Sequence, residues 1–174
     1  MKRNAIVKQI LVLTVLFVCS ACSPKDHIIG PRTEDAWDQW EEDQKVLKET
    51  WGDTEVYAYI QMILDDLHNV NANVVFKEDF STETESEALT PLKKLYEDMH
   101  YSDKISLEEF LNRLKNSDLR YVVGGVTDLD AIEDRGDGVY NIRLLYYPNV
   151  DSLMAANLTI RTEADGSFHA EFEE

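Results

Sequence analysis

Residues 165–173 read Asp-Gly-Ser-Phe-His-Ala-Glu-Phe-Glu, a turn followed by alternating apolar and polar side chains. Asp-Gly is a strongly preferred hairpin turn, and the alternation predicts a half-buried strand. The side chains expected to face the core are Phe168, Ala170 and Phe172, and those expected to point outward are His169, Glu171 and Glu173. The end of the chain therefore predicts an antiparallel hairpin.

Three segments further upstream also have strand-like patterns. They are residues 120–123 (Arg-Tyr-Val-Val), 139–147 and 157–162. In the second of these, Tyr146 and Tyr147 are neighbours and must point to opposite sides of the sheet. One of the two tyrosines is therefore expected on the side away from the helices.

The part of the chain between about residues 33 and 115 has helical periodicity instead. Helices are expected from Thr33 to about Gly52, from Asp53 or Thr54, from Thr90-Pro91, and from Ser106, which forms a capping box with Glu109. Val74-Val75-Phe76 is predicted to be a short strand or extended piece.

Helices that precede strands favour an α+β fold. We expect N-terminal helices packed on one face of a C-terminal antiparallel sheet of about four strands. With 174 residues in all, the chain has room for a single domain, which we place at residues 33–174.

The three tryptophans Trp37, Trp40 and Trp51 share one predicted helix with Leu47. Exposed tryptophans would serve a sugar- or protein-binding face. Their helical spacing favours burial in the core.

The first residues have the anatomy of an export signal. Lys2, Arg3 and Lys8 precede the apolar run Ile-Leu-Val-Leu-Thr-Val-Leu-Phe-Val at 10–18. That run is too short to cross a bilayer about 30 Å thick, and it suits a secretory signal peptide. The small residues Ser20-Ala21 and then Cys22 follow.

Ser20-Ala21-Cys22 resembles the lipobox of bacterial lipoproteins, with Cys19 where that family prefers leucine. The resemblance implies that residues 1–21 are a signal peptide, cut before Cys22, and that Cys22 carries a diacylglycerol. Two acyl chains give stable membrane attachment. The alternative is an ordinary signal peptide with Cys22 as an unmodified thiol.

Residues 22–32 contain two prolines and a glycine without periodicity, and we interpret them as a tether. The resemblance implies a lipid-anchored, extracytoplasmic protein of the cell envelope. In a Gram-negative cell, Ser23 would permit transfer to the outer membrane; in a Gram-positive cell the anchor would lie in the cell membrane.

The chain is strongly acidic, with 34 Asp and Glu against 17 Lys and Arg, a formal charge of −17. Residues 1–21 contain three cations and no acid, so their removal changes this charge to −20. Binding of nucleic acid through its phosphates is excluded. An anionic bilayer would also repel the domain, so attachment must come from the lipid.

We predict no catalytic residue, metal site or cofactor, because no nucleophile elbow, P-loop or zinc-protease motif is present. Asp65 and His68 have metal-ligand spacing, but a helix end also favours histidine. The acidic residues between Asp128 and Asp137 do not fit a calcium loop. We interpret Asp134-Arg135-Gly136-Asp137-Gly138 as a solvated turn that joins two strands.

These features favour a non-catalytic domain that binds a basic protein, either an immunity protein against a toxin or an envelope assembly factor. Acidic surfaces steer cationic partners. The alternatives are small-ligand binding and a hydrolase of cell wall or glycan. The candidate partner-binding residues are His169, Glu171, Glu173, Tyr146 and Tyr147.

Overall fold

The computed structural model describes residues 34–77 and 87–173. The helices are α1 (Glu34–Trp51), α2 (Glu55–Asn69), α3 (Ala72–Val75), α4 (Thr90–Asp98) and α5 (Leu107–Lys115), and 3₁₀ turns occupy Tyr101–Asp103 and Asp118–Tyr121. The strands are β1 (Thr127–Gly136), β2 (Val139–Asn149), β3 (Ser152–Thr162) and β4 (Phe168–Phe172). The signal peptide, Cys22 and the tether lie outside the described residues.

The caps predicted from the sequence start the helices where expected. Thr54 accepts a 3.2 Å hydrogen bond from the backbone N–H of Tyr57 at the start of α2. Ser106 does the same for the N–H of Glu109 at the start of α5, again at 3.2 Å. Each bond satisfies a backbone donor that has no partner within the first helical turn.

Two short apolar segments predicted as strands are wrong. Residues 72–75 form the one-turn helix α3, and Arg120 and Tyr121 lie in a 3₁₀ turn. Neither segment alternates, and such short runs do not distinguish a strand from a helical turn. The chain just after the second segment is bound to α2, because the N–H of Gly124 donates to the Leu67 carbonyl at 2.8 Å.

The four strands form one antiparallel sheet in the order β1-β2-β3-β4, as the α+β prediction required. The solvated turn predicted at Asp134–Gly138 is confirmed only at its end: residues 127–136, which had no predicted strand, form β1, and Asp137 and Gly138, with positive φ angles of 53° and 74°, join β1 to β2. The Asp165-Gly166 turn between β3 and β4 is confirmed too, with Gly166 at φ 88°.

Helices α2, α4 and α5 pack on one face of the sheet, which we call the inner face. The core there combines helical residues such as Ile60, Leu67, Leu92, Leu95, Phe110 and Leu114 with strand residues such as Ile142, Leu144, Leu158, Ile160, Ala170 and Phe172. Residues 47–172 contain all of the buried apolar side chains in the described part.

Helix α1 passes the edge of the sheet and reaches both faces. Its Leu47 joins the core, Gln44 donates a 2.7 Å hydrogen bond to the Leu129 carbonyl of β1, and Trp40 packs on the other face. Core burial of the tryptophans is therefore wrong for Trp37, which is exposed, and for Trp40, which is half-buried against the other face, whereas the half-buried Trp51 packs against the main core. A helix that crosses an edge leaves its first turns beyond the core.

The opposite edge of the sheet is covered by the chain between α4 and α5. The N–H of Ala170 donates to the Met99 carbonyl at 3.4 Å, and the N–H of Phe172 donates to the Tyr101 hydroxyl at 3.0 Å. These bonds occupy donors that an edge strand otherwise offers to other chains.

Candidate functional site

The sheet surface opposite the helices, which we call the outer face, carries most of the predicted site. By strand register it presents the charged side chains Asp128, Asp130, Glu133, Arg143, Arg161, Glu171 and Glu173. It also presents an apolar cluster formed by Leu145, Leu153 and Ala155, against which Trp40 and Tyr147 pack.

The two neighbouring tyrosines point to opposite faces, as the sequence predicted. Tyr147 lies on the outer face, whereas Tyr146 is only 2% exposed and belongs to the core. Burial also raises the pKa of Tyr146, which keeps its hydroxyl protonated. Tyr146 cannot contact a partner, so its inclusion among the partner-binding residues is wrong.

By strand register His169 lies on the same side of β4 as Glu171, as predicted, but it is not open to a partner. Its side chain is 4% exposed, because the covering segment between α4 and α5 brings Lys104 over β4. Lys104 Nζ lies 2.8 Å from His169 Nε2. Burial, and next the charge of Lys104, lower the pKa of His169, so the ring is a neutral acceptor for the ammonium.

Glu171 of β4 and Glu173, directly after that strand, reach the outer face, and each has a polar or charged neighbour. Glu171 lies between two cations, 3.7 Å from Lys104 Nζ and 3.8 Å from Arg161 Nη1. Glu173 accepts a 2.7 Å hydrogen bond from the Thr159 hydroxyl. Two cations within 4 Å therefore partly offset the charge of Glu171.

A cavity of about 270 Å³ opens beside Glu171, between α5 and β4. Its lining is mainly apolar and aromatic: Tyr101, Phe110, Leu114, Leu119 and Phe172, with Arg113 and Glu171 as the charged members. This volume is slightly below the range of about 300–1,000 Å³ for sites of drug-sized ligands. The cavity suits one large side chain or a small molecule.

A buried carboxylate that the sequence did not reveal lies between α2 and α4. Lys94 Nζ is 2.6 Å from Asp66 Oδ1 and 2.6 Å from Asp98 Oδ2. Burial raises the pKa of Asp66. Partial burial alone would raise the pKa of Asp98 as well, but its bonds to Lys94 and Asp66 lower it. Lys94 therefore bonds to both carboxylates and links α4 to α2, which stabilises the packing of these two helices.

Acidic residues near the β1–β2 turn form an ion pair and a hydrogen bond within the domain. Asp130 pairs with Arg143 at 3.4 Å, and Asp134 accepts from the Gly136 N–H at 2.7 Å. Asp65 and His68 have the sequence spacing of a metal-ligand pair. In the structure, Nε2 of His68 lies 2.8 Å from the Thr127 carbonyl oxygen. Across residues 34–77 and 87–173, no three His, Cys, Asp or Glu side chains are grouped to hold a metal ion.

The chain matches no known protein-family model, curated protein or solved structure. In the part of the chain that the structure describes, no helix combines the length and apolarity needed to traverse a bilayer. Cys22 lies outside that part, so its lipidation stays a prediction.

Proposed function

We propose that this chain is a membrane-anchored lipoprotein of the bacterial envelope whose domain binds a basic protein without catalysis. The anchor is assigned to Cys22 on the strength of Ser20-Ala21-Cys22 after an apolar run. The partner is assigned from the charge of the domain. Neither the anchor nor the binding of a basic partner requires a catalytic reaction at the candidate site.

The observation that carries the partner assignment is a set of unneutralised acids near the outer face. Within residues 34–77 and 87–173, no lysine, arginine or histidine nitrogen lies within 4.0 Å of the carboxylates of Asp38, Glu41, Asp128 and Asp151. Such charges raise the rate at which a cationic protein meets this surface.

Two kinds of basic partner fit this proposal, a toxin that an immunity protein neutralises and a component of an envelope assembly. Deletion of the gene distinguishes them. Sensitivity of the deletion strain to one basic toxin supports immunity, whereas an envelope defect without toxin supports assembly.

The anchor is tested by mass spectrometry of the protein in membrane fractions. We expect an N-terminal acylated Cys22 and loss of membrane attachment in Cys22→Ala. A mature protein that begins at another residue, or a Cys22→Ala protein that stays on the membrane, would contradict the assignment.

Binding is tested with the mature chain, residues 22–174 with Cys22→Ser, immobilised as bait in an envelope extract. We expect capture of a basic protein at low salt and its release as ionic strength rises. The captured protein is then purified and its association rate measured. A partner that binds equally fast at low and high salt would contradict a role for the acidic surface.

The cavity beside Glu171 favours small-ligand binding as a second candidate function. Its apolar lining and its two charged side chains, Arg113 and Glu171, fit an amphipathic small molecule. Leu114→Trp should fill the cavity and abolish binding of such a molecule, while charge-dependent protein binding is retained.

A further inference from the structure

An apolar surface lies at the end of the sheet where β2 turns into β3. This aromatic patch consists of Trp37, Trp40, Val126, Tyr147 and Val150. The rings of Trp37 and Trp40 meet edge to face with centroids 5.7 Å apart. Trp40 and Tyr147 pack on the same apolar cluster of the outer face, and Tyr147 N–H donates to the Val126 carbonyl at 3.3 Å.

Much of the aromatic patch is open to solvent. Val150 is 93% exposed, Val126 64% and Trp37 40%. The other large exposed apolar side chain in the described residues, Val46, is nine residues after Trp37 and therefore on the opposite side of α1. Exposed apolar side chains grouped in this way mark interaction sites more often than scattered ones do.

Tyr147 contributes one polar group, its hydroxyl, to the aromatic patch. It is enclosed and has no hydrogen-bond partner in the described structure. A buried hydroxyl without a partner costs free energy. Because this hydroxyl is enclosed, a group bound at the surface reaches it only if neighbouring side chains move, so the choice of occupant rests on the exposed side chains and on charge.

The charge around the aromatic patch identifies the class of occupant. Asp38 and Glu41 lie in the same turns of α1 as its tryptophans, Asp128 is the register partner of Leu145, and Asp151 follows Val150. None of these four carboxylates has a cation within 4.0 Å in the described structure, a property that they share with other acids such as Glu49, Glu97 and Glu108. They repel an anionic bilayer, and they attract a protein segment that carries cations beside its apolar side chains.

We infer that the aromatic patch is the docking surface for a cationic, amphipathic segment of a protein. The inference rests on the proposed function and specifies which surface the basic partner uses. Apolar side chains of that segment cover Trp37, Tyr147 and Val150, while its lysines or arginines meet the surrounding carboxylates. Aromatic anchors surrounded by a polar rim are typical of the centres of protein interfaces.

The test uses the mature chain with Cys22→Ser and two synthetic peptides of lysine and leucine with identical composition. In one peptide the leucines share a helical face, and in the other they are dispersed. Affinities are measured by fluorescence anisotropy of the labelled peptides. We expect the Kd of the amphipathic peptide to be lower than the Kd of its dispersed isomer by a factor of about ten or more.

Variants of the chain locate the binding site. Trp37→Ala should weaken binding of the amphipathic peptide about tenfold, and Val150→Ser should weaken it several-fold. Val46→Ala, which removes apolar area on the other side of the same helix, should leave binding unchanged. Circular dichroism of each variant checks folding, and Val150 is exposed enough that its replacement leaves the core intact.

Equal binding of the two peptides, or of wild type and Trp37→Ala, would overturn the inference and leave charge-driven binding standing. Failure of both peptides to bind would count against the proposed function as well. Patch-dependent binding to phosphatidylcholine or phosphatidylglycerol vesicles in place of the amphipathic peptide would also overturn the inference and make the patch a membrane contact.

Discussion

Lys94 Nζ lies 2.6 Å from Asp66 Oδ1 and joins α4 to a carboxylate of α2 that is almost completely buried. A buried carboxylate needs both an opposite charge and hydrogen bonds. Lys94 supplies the charge while its ammonium stays partly exposed, and it bonds to Asp98 of its own helix as well. The packing of α2 on α4 therefore depends on this lysine.

We predict that Lys94→Met lowers the free energy of unfolding by about 1–3 kcal/mol, because Asp66 would lose its cation. The matched control is Lys93→Met at the neighbouring position, which has no ion pair in the described structure and should change stability by less than about 0.5 kcal/mol. Urea unfolding of both variants at pH 7 provides the measurement. Equal effects would contradict the role of the Lys94–Asp66 bond.

The same variant should show a characteristic pH dependence. Without Lys94, the already raised pKa of Asp66 rises further in the folded state. A carboxyl whose pKa is higher in the folded state than in the unfolded state, where it is about 3.9, stabilises the fold at a pH below the unfolded pKa. This contribution is lost as the pH rises through the pKa of the folded state. The deficit of Lys94→Met should therefore be larger at pH 7 than at pH 4; a constant deficit would contradict this account.

The hydrogen bond that Tyr101 makes at the covered edge of β4 predicts how loss of its hydroxyl affects stability. Tyr101→Phe should lower the free energy of unfolding by about 1–3 kcal/mol, because the Phe172 N–H would lose its acceptor in a buried position. Tyr57→Phe, which removes a hydroxyl from a half-buried ring on α2, should change stability by less than about 0.5 kcal/mol. Thermal unfolding compares the two, and similar losses would show that the edge bond contributes little.

His169 predicts a loss of stability in mild acid. Its folded pKa is lowered by burial and Lys104, so the unfolded chain, whose histidine pKa is about 6.5, binds more protons. His169 therefore contributes its full stabilisation above about pH 6.5. This contribution falls as the pH drops from that value toward the pKa of His169 in the folded state. Besides Lys104, the charged or titratable groups that act on it are Glu171, Glu163 and His100.

Unfolding experiments between pH 7.5 and 5 should show this slope for wild type and a smaller slope for His169→Gln, whose amide oxygen can still accept from Lys104. His68→Gln should retain the slope, since that ring lies on the carbonyl of Thr127 at another site. An NMR titration that places the pKa of His169 at or above 6.5 would contradict the prediction.

The sequence predicted the fold well where one local signal sufficed. Thr54 and Ser106 start helices through bonds within one turn, Pro91 favours a helix start by its fixed φ and missing N–H, and Asp165-Gly166 makes its hairpin alone. Residues 120–123 were misassigned because an apolar run without alternation has no local signal of its own. Its turn is determined by contacts with α2 through Gly124.

The candidate site was harder to predict, because it depends on residues distant in the sequence. Alternation correctly placed Glu171 on the outer face, but the burial of His169 comes from Lys104, which is 65 positions away. The Asp66–Lys94 bond likewise spans 28 positions. Trp37 and Trp40 share a helical stripe, and only the path of α1 past the sheet edge shows that this stripe leaves the core.

The last prediction concerns Glu171 and Glu173 in binding to the purified basic partner. Replacement of both by Gln should slow association more than it speeds dissociation, because exposed charges act mainly during approach. The effect should be largest at low salt, since the Debye length is only about 8 Å at physiological ionic strength. Stopped-flow or surface plasmon resonance measurements at several salt concentrations provide both rates.

The matched control is Glu49→Gln with Glu108→Gln, which removes the same formal charge from exposed positions on α1 and α5. If the outer face receives the partner, the Glu171 and Glu173 pair should slow association more than the control pair. Lys104 and Arg161 already offset Glu171, so most of the difference should come from Glu173. Equal slowing by both pairs would mean that only net charge steers the partner. No slowing by either would restrict binding to the aromatic patch or the helices.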